Sequence, residues 1–368
     1  MPPTHHTDEA VAPRDPPSAT LTHVDVQSLR EFEPLARERL SAAAYAYYAG
    51  GAWDERTLRE NEAAFARRTL MPRVLVDVGS IDPGTTMLGT AVALPVALAP
   101  AALQGLAHPE GEYVSARAAS RAKLIFCLST FANRSLETVA AAGRGTRWFQ
   151  LYVLRDRGRT AELVARAAGA GYKALMLTVD LPQAGYRERE LREPVLQPGD
   201  LGNVGPLGGA DFLEGIGGEV DPTLDWDDLA WLRSLSDLPL VIKGVLDPAD
   251  ATRAVEHGAA GVVVSNHGGR QLDRAPASLD ALEAVVEAVG GRAEVYLDGG
   301  IRRGTDVVTA LAMGARAVMV GRPYLFALAA GGEAGVNRCL EILDREIRLA
   351  MVLLGAPTVA QLTRDRVR

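Results

Sequence analysis

The chain of 368 residues is 48% hydrophobic and 23% charged, which supplies a large buried core and excludes a disordered or fibrous protein. Its net charge of -7 and pI near 5.5 disfavour any broad surface for nucleic acid or anionic membrane, so a bound anion must be held by a few local cations. Cys127 and Cys339 are the only cysteines and show no paired spacing, which argues against a disulfide framework or a cysteine-based metal site; no metal is expected, and a reducing cytoplasm is the expected compartment.

The first 20 residues are rich in Pro, Thr, His and charge and contain no apolar run, so they are expected to be a disordered tail and not a signal peptide. Residues 21–368 then form one domain. Residues 21–90, including the aromatic stretch from Tyr45 to Tyr48, are expected to form helices covering the bottom of the fold. The longest apolar run, Ala91 to Leu103, is too short to cross a bilayer and is broken by Pro95 and Pro100, so it reads as buried strand.

Short β-rich runs recur from there: Leu94–Ala99, Lys123–Leu128, Arg147–Val153, Lys173–Val179, Leu238–Lys243, Gly261–Ser265, Glu294–Leu297 and Ala317–Val320. Helix signals fall between them, namely Pro109 with Glu110 and Glu112, Asp247 before Pro248, and Ser278 before LDALEAVVEAV. The segments AGAGYKALMLTV, EHGAAGVVVSN and AMGARAVMVGR each run from a helix end through Gly-Ala into a buried strand, and Gly258 and Gly314 suit a left-handed helix end.

Alternation of this kind implies a parallel sheet. Its even spacing favours a closed (β/α)8 TIM barrel with an N-terminal helical segment over an open doubly wound sheet. The one long interval, residues 183–237, contains the glycine-dense PGDLGNVGPLGGADFLEGIGG. This stretch after the fourth strand reads either as a mobile lid, over about residues 190–222, or as a plain disordered loop.

A barrel builds its site at the C-terminal ends of its strands. The strands deliver there Pro100, Ala101 and Ala102; Ser129, Thr130 and Phe131; Gln150 and Tyr152; Thr178 and Asp180 with Arg187 beyond; Lys243; Ser265, Asn266, His267 and Arg270; Asp298, Gly299, Gly300 and Arg302; and Gly321 and Arg322. Singly these have plain explanations: Arg187 as a solvated charge in YRERELRE, Lys243 as a strand-end cation, Gln150 as a satisfied core amide. Together, such a ring of charges over an apolar barrel is costly to desolvate without a ligand.

The turns DGGIRRG and VGR follow the last two strands, where barrels hold phosphate, and Arg302 and Arg322 add charge there; the alternative is that these glycines only make tight turns. No GxGxxG follows the first strand, which argues against a dinucleotide in a Rossmann crevice. In SNHGGRQLD, His267 places a neutral base three residues from Arg270, a guanidinium able to grip a carboxylate. His108 and His257 lack that setting.

The ordered series YAYYAGGA, APAALQGLAHPEGE, WFQLYV, TVDLPQAGYR, KGV, VSNHGGRQLD, DGGIRRG and VGRP resembles the FMN-dependent 2-hydroxy acid oxidases and dehydrogenases over about residues 22–365. That family includes glycolate oxidase, lactate oxidase and mandelate dehydrogenase. The resemblance implies FMN as cofactor and oxidation of a 2-hydroxy acid to a 2-oxo acid, with His267 as the base opposite the flavin N5, O2 as acceptor giving H2O2, and a homo-oligomer, tetramer or octamer. Tyr47, Tyr152, Arg187 and Arg270 are then the substrate-binding residues, and Asp180 orients His267. Pro100, Ala101, Ala102, Ser129, Gln150, Thr178, Lys243 and Ser265 surround the flavin ring and ribityl chain. Asp298, Gly299, Gly300, Arg302, Gly321 and Arg322 serve the ribityl chain and phosphate. Lys243 offsets charge developing on the flavin, and the α-hydrogen leaves either as hydride or as proton.

Departures from the family pattern accompany the matches. Phe131 stands where glycolate oxidases carry Trp, which favours a larger substrate side chain than that of glycolate. Ala101 replaces a common Thr, Ala102 is the residue type of oxidase-like members, and the lid is shorter than in the plant enzymes. The alternatives are the same reaction with a non-oxygen acceptor, an FMN barrel with isomerase chemistry, as in type 2 isopentenyl diphosphate isomerase, and a non-catalytic flavin-binding scaffold.

Overall fold

The computed structural model describes residues 25–368; the tail expected over residues 1–20 lies outside them. Eight parallel strands close into a barrel: β3 (Val96–Leu98), β4 (Ile125–Leu128), β5 (Arg147–Leu151), β6 (Leu175–Thr178), β7 (Leu240–Val245), β8 (Gly261–Val264), β9 (Glu294–Asp298) and β10 (Ala317–Val320), with β10 pairing back onto β3. These runs are apolar at almost every position because one face packs the barrel interior and the other the helical shell. Each expected strand is present within a few residues, and the barrel is the closed alternative.

Two features at the barrel's ends differ from expectation. A hairpin of β1 (Thr85–Met87) and β2 (Thr90–Val92) closes the bottom. It turns at Leu88 and Gly89, both at positive φ, and lodges Met87 and Val92 against the inward-facing Ile125, Cys127, Trp148, Met176 and Tyr296. The N-terminal helices do not cover that end. Of α1 (Phe32–Arg37), α2 (Ala42–Ala49) and α3 (Arg56–Ala66), α2 sits at the opposite mouth, where the main chain of Tyr47, Tyr48 and Gly50 meets Arg270 and Arg322. The run from Ala91 to Leu103 is likewise not one strand. It splits into β2 and β3 around Pro95, whose carbonyl accepts from Val318 N.

The shell helices follow in order: α4 (Glu112–Arg121), α5 (Leu136–Ala141), α6 (Arg157–Gly169), α7 (Glu188–Arg192), α8 (Phe212–Glu219), α9 (Asp228–Ser234), α10 (Pro248–Glu256), α11 (Ser278–Val289), α12 (Gly304–Ala312) and α13 (Arg322–Leu354), the last interrupted by a kink at Gly331 and Gly332. Their starts are set locally. The Asp156 carboxylate accepts from Gly158 N and Arg159 N, and Asp247 accepts from Ala249 N with Pro248 in the first turn. Gly258 and Gly314 take φ of +82° and +103° just past helix ends, as their sequence setting predicts. Among the described residues no helix is long and apolar enough to cross a membrane.

Candidate active site

One cavity opens at the C-terminal ends of the strands. It is lined by Pro100, Ala101, Ala102, Ser129, Phe131, Gln150, Tyr152, Thr178, Arg187, Lys243, His267, Arg270, Asp298, Gly299, Gly300, Arg302, Gly321 and Arg322, with Tyr47 from α2. Asp180 and Ser265 stand behind this front layer, on a groove reaching the outer side. Tyr48, Leu181 and Ile216 also line the cavity and carry no distinguishing signal in the sequence.

His267 is held by its own loop. The main chain runs through positive φ at His267 (+59°), Gly268 (+64°) and Gly269 (+75°). A β-carbon at Gly269 would fall 2.5 Å from Leu58 N, so glycine is required there. Asn266 anchors the turn through a reciprocal amide pair with Asn61, 2.8 Å each way, and accepts from Gly269 N. The His267 Nδ1 lies 2.8 Å from Asp180 Oδ1, which places the proton on Nδ1 and leaves the Nε2 lone pair as the base.

Burial lowers the His267 pKa; Asp180 opposes this and Lys243 adds to it, so the ring is neutral at pH 7. Burial pushes the Asp180 carboxyl up, but His267 and Lys243 outweigh it and hold the group ionised. Gly244 (φ +106°), at a register shift in β7, brings that strand close: a β-carbon there would lie 2.6 Å from Asp180 Cβ.

The floor of the cavity carries unspent hydrogen-bonding capacity. Lys243 Nζ donates to Ser265 Oγ at 3.0 Å and lies 3.2 Å from Asp298 Oδ2; burial disfavours its charge, but Asp298 and Asp180 keep its pKa raised. Gln150 Nε2, Thr178 Oγ1 and Asp298 Oδ1 are buried without a protein partner, a costly state unless a ligand meets them. At the far end Arg322 donates to the carbonyls of Tyr48, Gly268 and Gly50. Burial, together with Arg270 and Arg302, brings its pKa down to about 9. A phosphate beside Arg302 and Arg322 and a polar heterocycle over Gln150, Thr178 and Lys243 would satisfy these groups, so the residues fit FMN.

Two arginines face the remaining space. Arg187 Nε donates to the Arg270 carbonyl and Nη2 to Gln271 Oε1, both at 3.0 Å. Arg270 lies 4.9 Å above the Tyr47 ring and donates to the carbonyls of Tyr47 and Gly50. Burial and the neighbouring Arg270 lower the Arg187 pKa, while burial pushes the Tyr47 hydroxyl up to about 12 and the Tyr152 hydroxyl higher still. Both phenols are therefore donors at neutral pH. Glu190, hidden in the charge run YRERELRE and not singled out by its sequence, is 3% exposed and reaches both guanidiniums.

Phe131 stacks on Tyr152 at 5.5 Å and meets the edge of Phe212 from α8 at 6.1 Å; Phe212 also packs on Tyr47 at 5.7 Å. Part of the room left by Phe at position 131 is thus taken by a residue of the glycine-dense segment. That segment is tied to the loop after β4. Asn203 Nδ2 donates to the carbonyls of Ser129 and Thr130, and Asn133 Nδ2 donates to that of Pro198. Among the described residues, no group of three or more His, Cys, Asp or Glu is placed to hold a metal.

Residues 36–368 match the model of a family described as FMN-dependent dehydrogenase. The chain is 46% identical to glycolate oxidase of Spinacia oleracea over 354 residues, 94% of this chain and 96% of that protein. It is 52% identical to L-lactate oxidase of Nostoc sp. over 343 residues, 89% and 94% of the two chains. A solved structure of mandelate oxidase with (S)-4-hydroxymandelic acid superposes with a TM-score of 0.89 at 41% identity, covering 93% of this chain and 98% of that one.

Proposed function

The chain belongs to the FMN-dependent dehydrogenase family and uses FMN to oxidise a 2-hydroxy acid to the 2-oxo acid; on that premise we propose how its residues divide the work. The observation that carries the reading is the neutral His267, held by Asp180 at 2.8 Å, in one cavity with Arg187 and Arg270.

Arg187, Arg270 and the phenols of Tyr47 and Tyr152 bind the substrate carboxylate and hydroxyl, fixing the α-carbon beside His267. His267 Nε2 takes the substrate proton, and Asp180 stabilises the imidazolium that results. Pro100, Ala101, Ala102, Ser129, Gln150, Thr178, Lys243 and Asp298 hold the flavin ring and ribityl chain, Ser265 supports Lys243, and Gly299, Gly300, Arg302, Gly321 and Arg322 take the phosphate end. Bound FMN supplies the two-electron acceptor. Dioxygen, reduced to hydrogen peroxide, is the final acceptor in this reading, since the relatives quoted above are named oxidases.

The substrate side chain lies against Phe131, Leu181 and Ile216, an apolar wall that favours mandelate or long aliphatic hydroxy acids over glycolate. Assembly into a homo-oligomer is supported by the exposed apolar side chains of Trp53, Tyr186, Leu191 and Leu272 at one rim. A reducing cytoplasm is consistent with two buried free cysteines. Anaerobic mixing of the yellow protein with glycolate, lactate and mandelate tests the reading. Flavin bleaching is expected, fastest with the larger acids, and peroxide should follow on admitting air. A flavin left oxidised by all hydroxy acids overturns the reading.

A further inference from the structure

We infer that Glu190 is a built-in counter-anion of the substrate site: it holds Arg187 and Arg270 in position and limits how tightly the site binds a carboxylate, so that product can leave. The inference rests on the reading of those two arginines as the carboxylate grip.

The three side chains form a buried cluster. Glu190 Oε1 accepts from Arg270 Nη2 at 2.9 Å, and Oε2 lies 3.5 Å from Arg187 Nη1. Side-chain exposures are 3% for Glu190, 4% for Arg187 and 13% for Arg270. The short helix α7 starts directly after Arg187, so residues 187 and 190 share one inward face by the three-residue spacing of a helical turn. Of the other charges of the run, Arg189 pairs with Glu55 and Arg192 with Glu188, and Glu193 is exposed. Glu190 is thus the one member of the run spent on the site's arginines.

The charge arithmetic gives this carboxylate its role. Two buried guanidiniums side by side repel each other: burial first, and Arg270 after it, lower the Arg187 pKa. With Glu190 the cluster carries one net positive charge, matching one substrate carboxylate. Without it the cluster carries two. Substrate and product bear the same carboxylate, so the surplus charge would bind both more tightly; KM would fall without faster chemistry, and product would leave more slowly.

The test uses FMN-loaded protein and two 2-oxo acid probes, pyruvate and benzoylformate, with Kd read from the flavin absorbance change. Glu190→Gln keeps an oxygen acceptor for Arg270 but loses the charge. It should bind the probe that wild type binds better about tenfold more tightly, a fold-change of the size expected for one charge removed from a buried site. KM should fall alongside, and kcat should fall because product release slows. Glu190→Asp, which keeps the charge, should stay within about threefold of wild type.

Arg270→Met should bind more weakly, since Arg187 and Glu190 then cancel, and adding Glu190→Gln to it should recover part of the loss. This rescue keeps the test decisive should Glu190→Gln alone fail to retain FMN. An unchanged or raised Kd in Glu190→Gln, equal tightening in Glu190→Asp, or absence of rescue overturns the role of Glu190. Probe binding by Arg270→Met equal to wild type, or no flavin response in wild type to either probe, overturns the carboxylate grip itself.

Discussion

Replacing Asp180 with Asn removes one charge from beside the base and changes little in shape. The Asp180 carboxylate accepts from His267 Nδ1 at 2.8 Å, and its interaction with the imidazolium raises the His267 pKa against the effects of burial and Lys243. A hydrogen bond to a charged group is worth about 1.5–3 kcal/mol and a neutral one about 1 kcal/mol, so the variant loses about 0.5–2 kcal/mol of imidazolium stabilisation. That corresponds to a flavin reduction rate lower by about two- to thirtyfold.

The sign of the pH effect follows from the same interaction. The His267 pKa lies below the ordinary imidazole value in the wild type, so the rate holds as pH falls through that value and declines only at lower pH. Removing Asp180 removes a group that raises this pKa, so the acid limb of the variant moves lower still. Anaerobic stopped-flow reduction at saturating hydroxy acid, followed across the acid range, reads both quantities. A slower variant whose acid limb stays fixed or moves up would show that Asp180 acts through packing and not through its charge.

Further outcomes follow from other parts of the site. Arg322→Ala should weaken FMN binding by about 10- to 100-fold through loss of a charge-assisted contact, measured by fluorescence titration of apoprotein. An unchanged FMN Kd would move the phosphate elsewhere. Phe212→Ala should clear space beside Phe131 and raise the ratio of kcat/KM for mandelate over glycolate, by about threefold or more for each extra CH2 accommodated; a fall in that ratio would remove Phe212 from the side-chain wall. Gly244→Ala should slow flavin reduction with FMN retained, because its β-carbon would displace Asp180; a wild-type rate would show that the strand yields.

The barrel was legible because parallel strands buried on both faces read as short apolar runs, and their spacing set the order in which polar residues reach the mouth. His267, Arg270, Lys243 and the glycine turns after β9 and β10 stood out for that reason. The bottom cap has no such signature: an aromatic helix and a short apolar hairpin are each compatible with either end, and only the complete barrel shows that Met87 fits inside it while Tyr47 meets Arg270. Glu190 was hidden because two of eight residues in a charge run turn inward, a choice made by α7 docking on α2 and not by composition. The Asn61–Asn266 pair joins residues 205 apart in sequence, and Gly244 is required only because Asp180 lies across from it; neither contact has a local signature.

The account's central claim is that His267 is the base that starts oxidation of a bound 2-hydroxy acid, and His267→Asn tests it most directly. Asn is polar and of similar reach but accepts no proton near pH 7, so FMN content and 2-oxo acid binding should persist. Anaerobic stopped-flow flavin reduction should slow by about 10²- to 10⁴-fold. Flavin reduction at the wild-type rate in that variant would contradict the account.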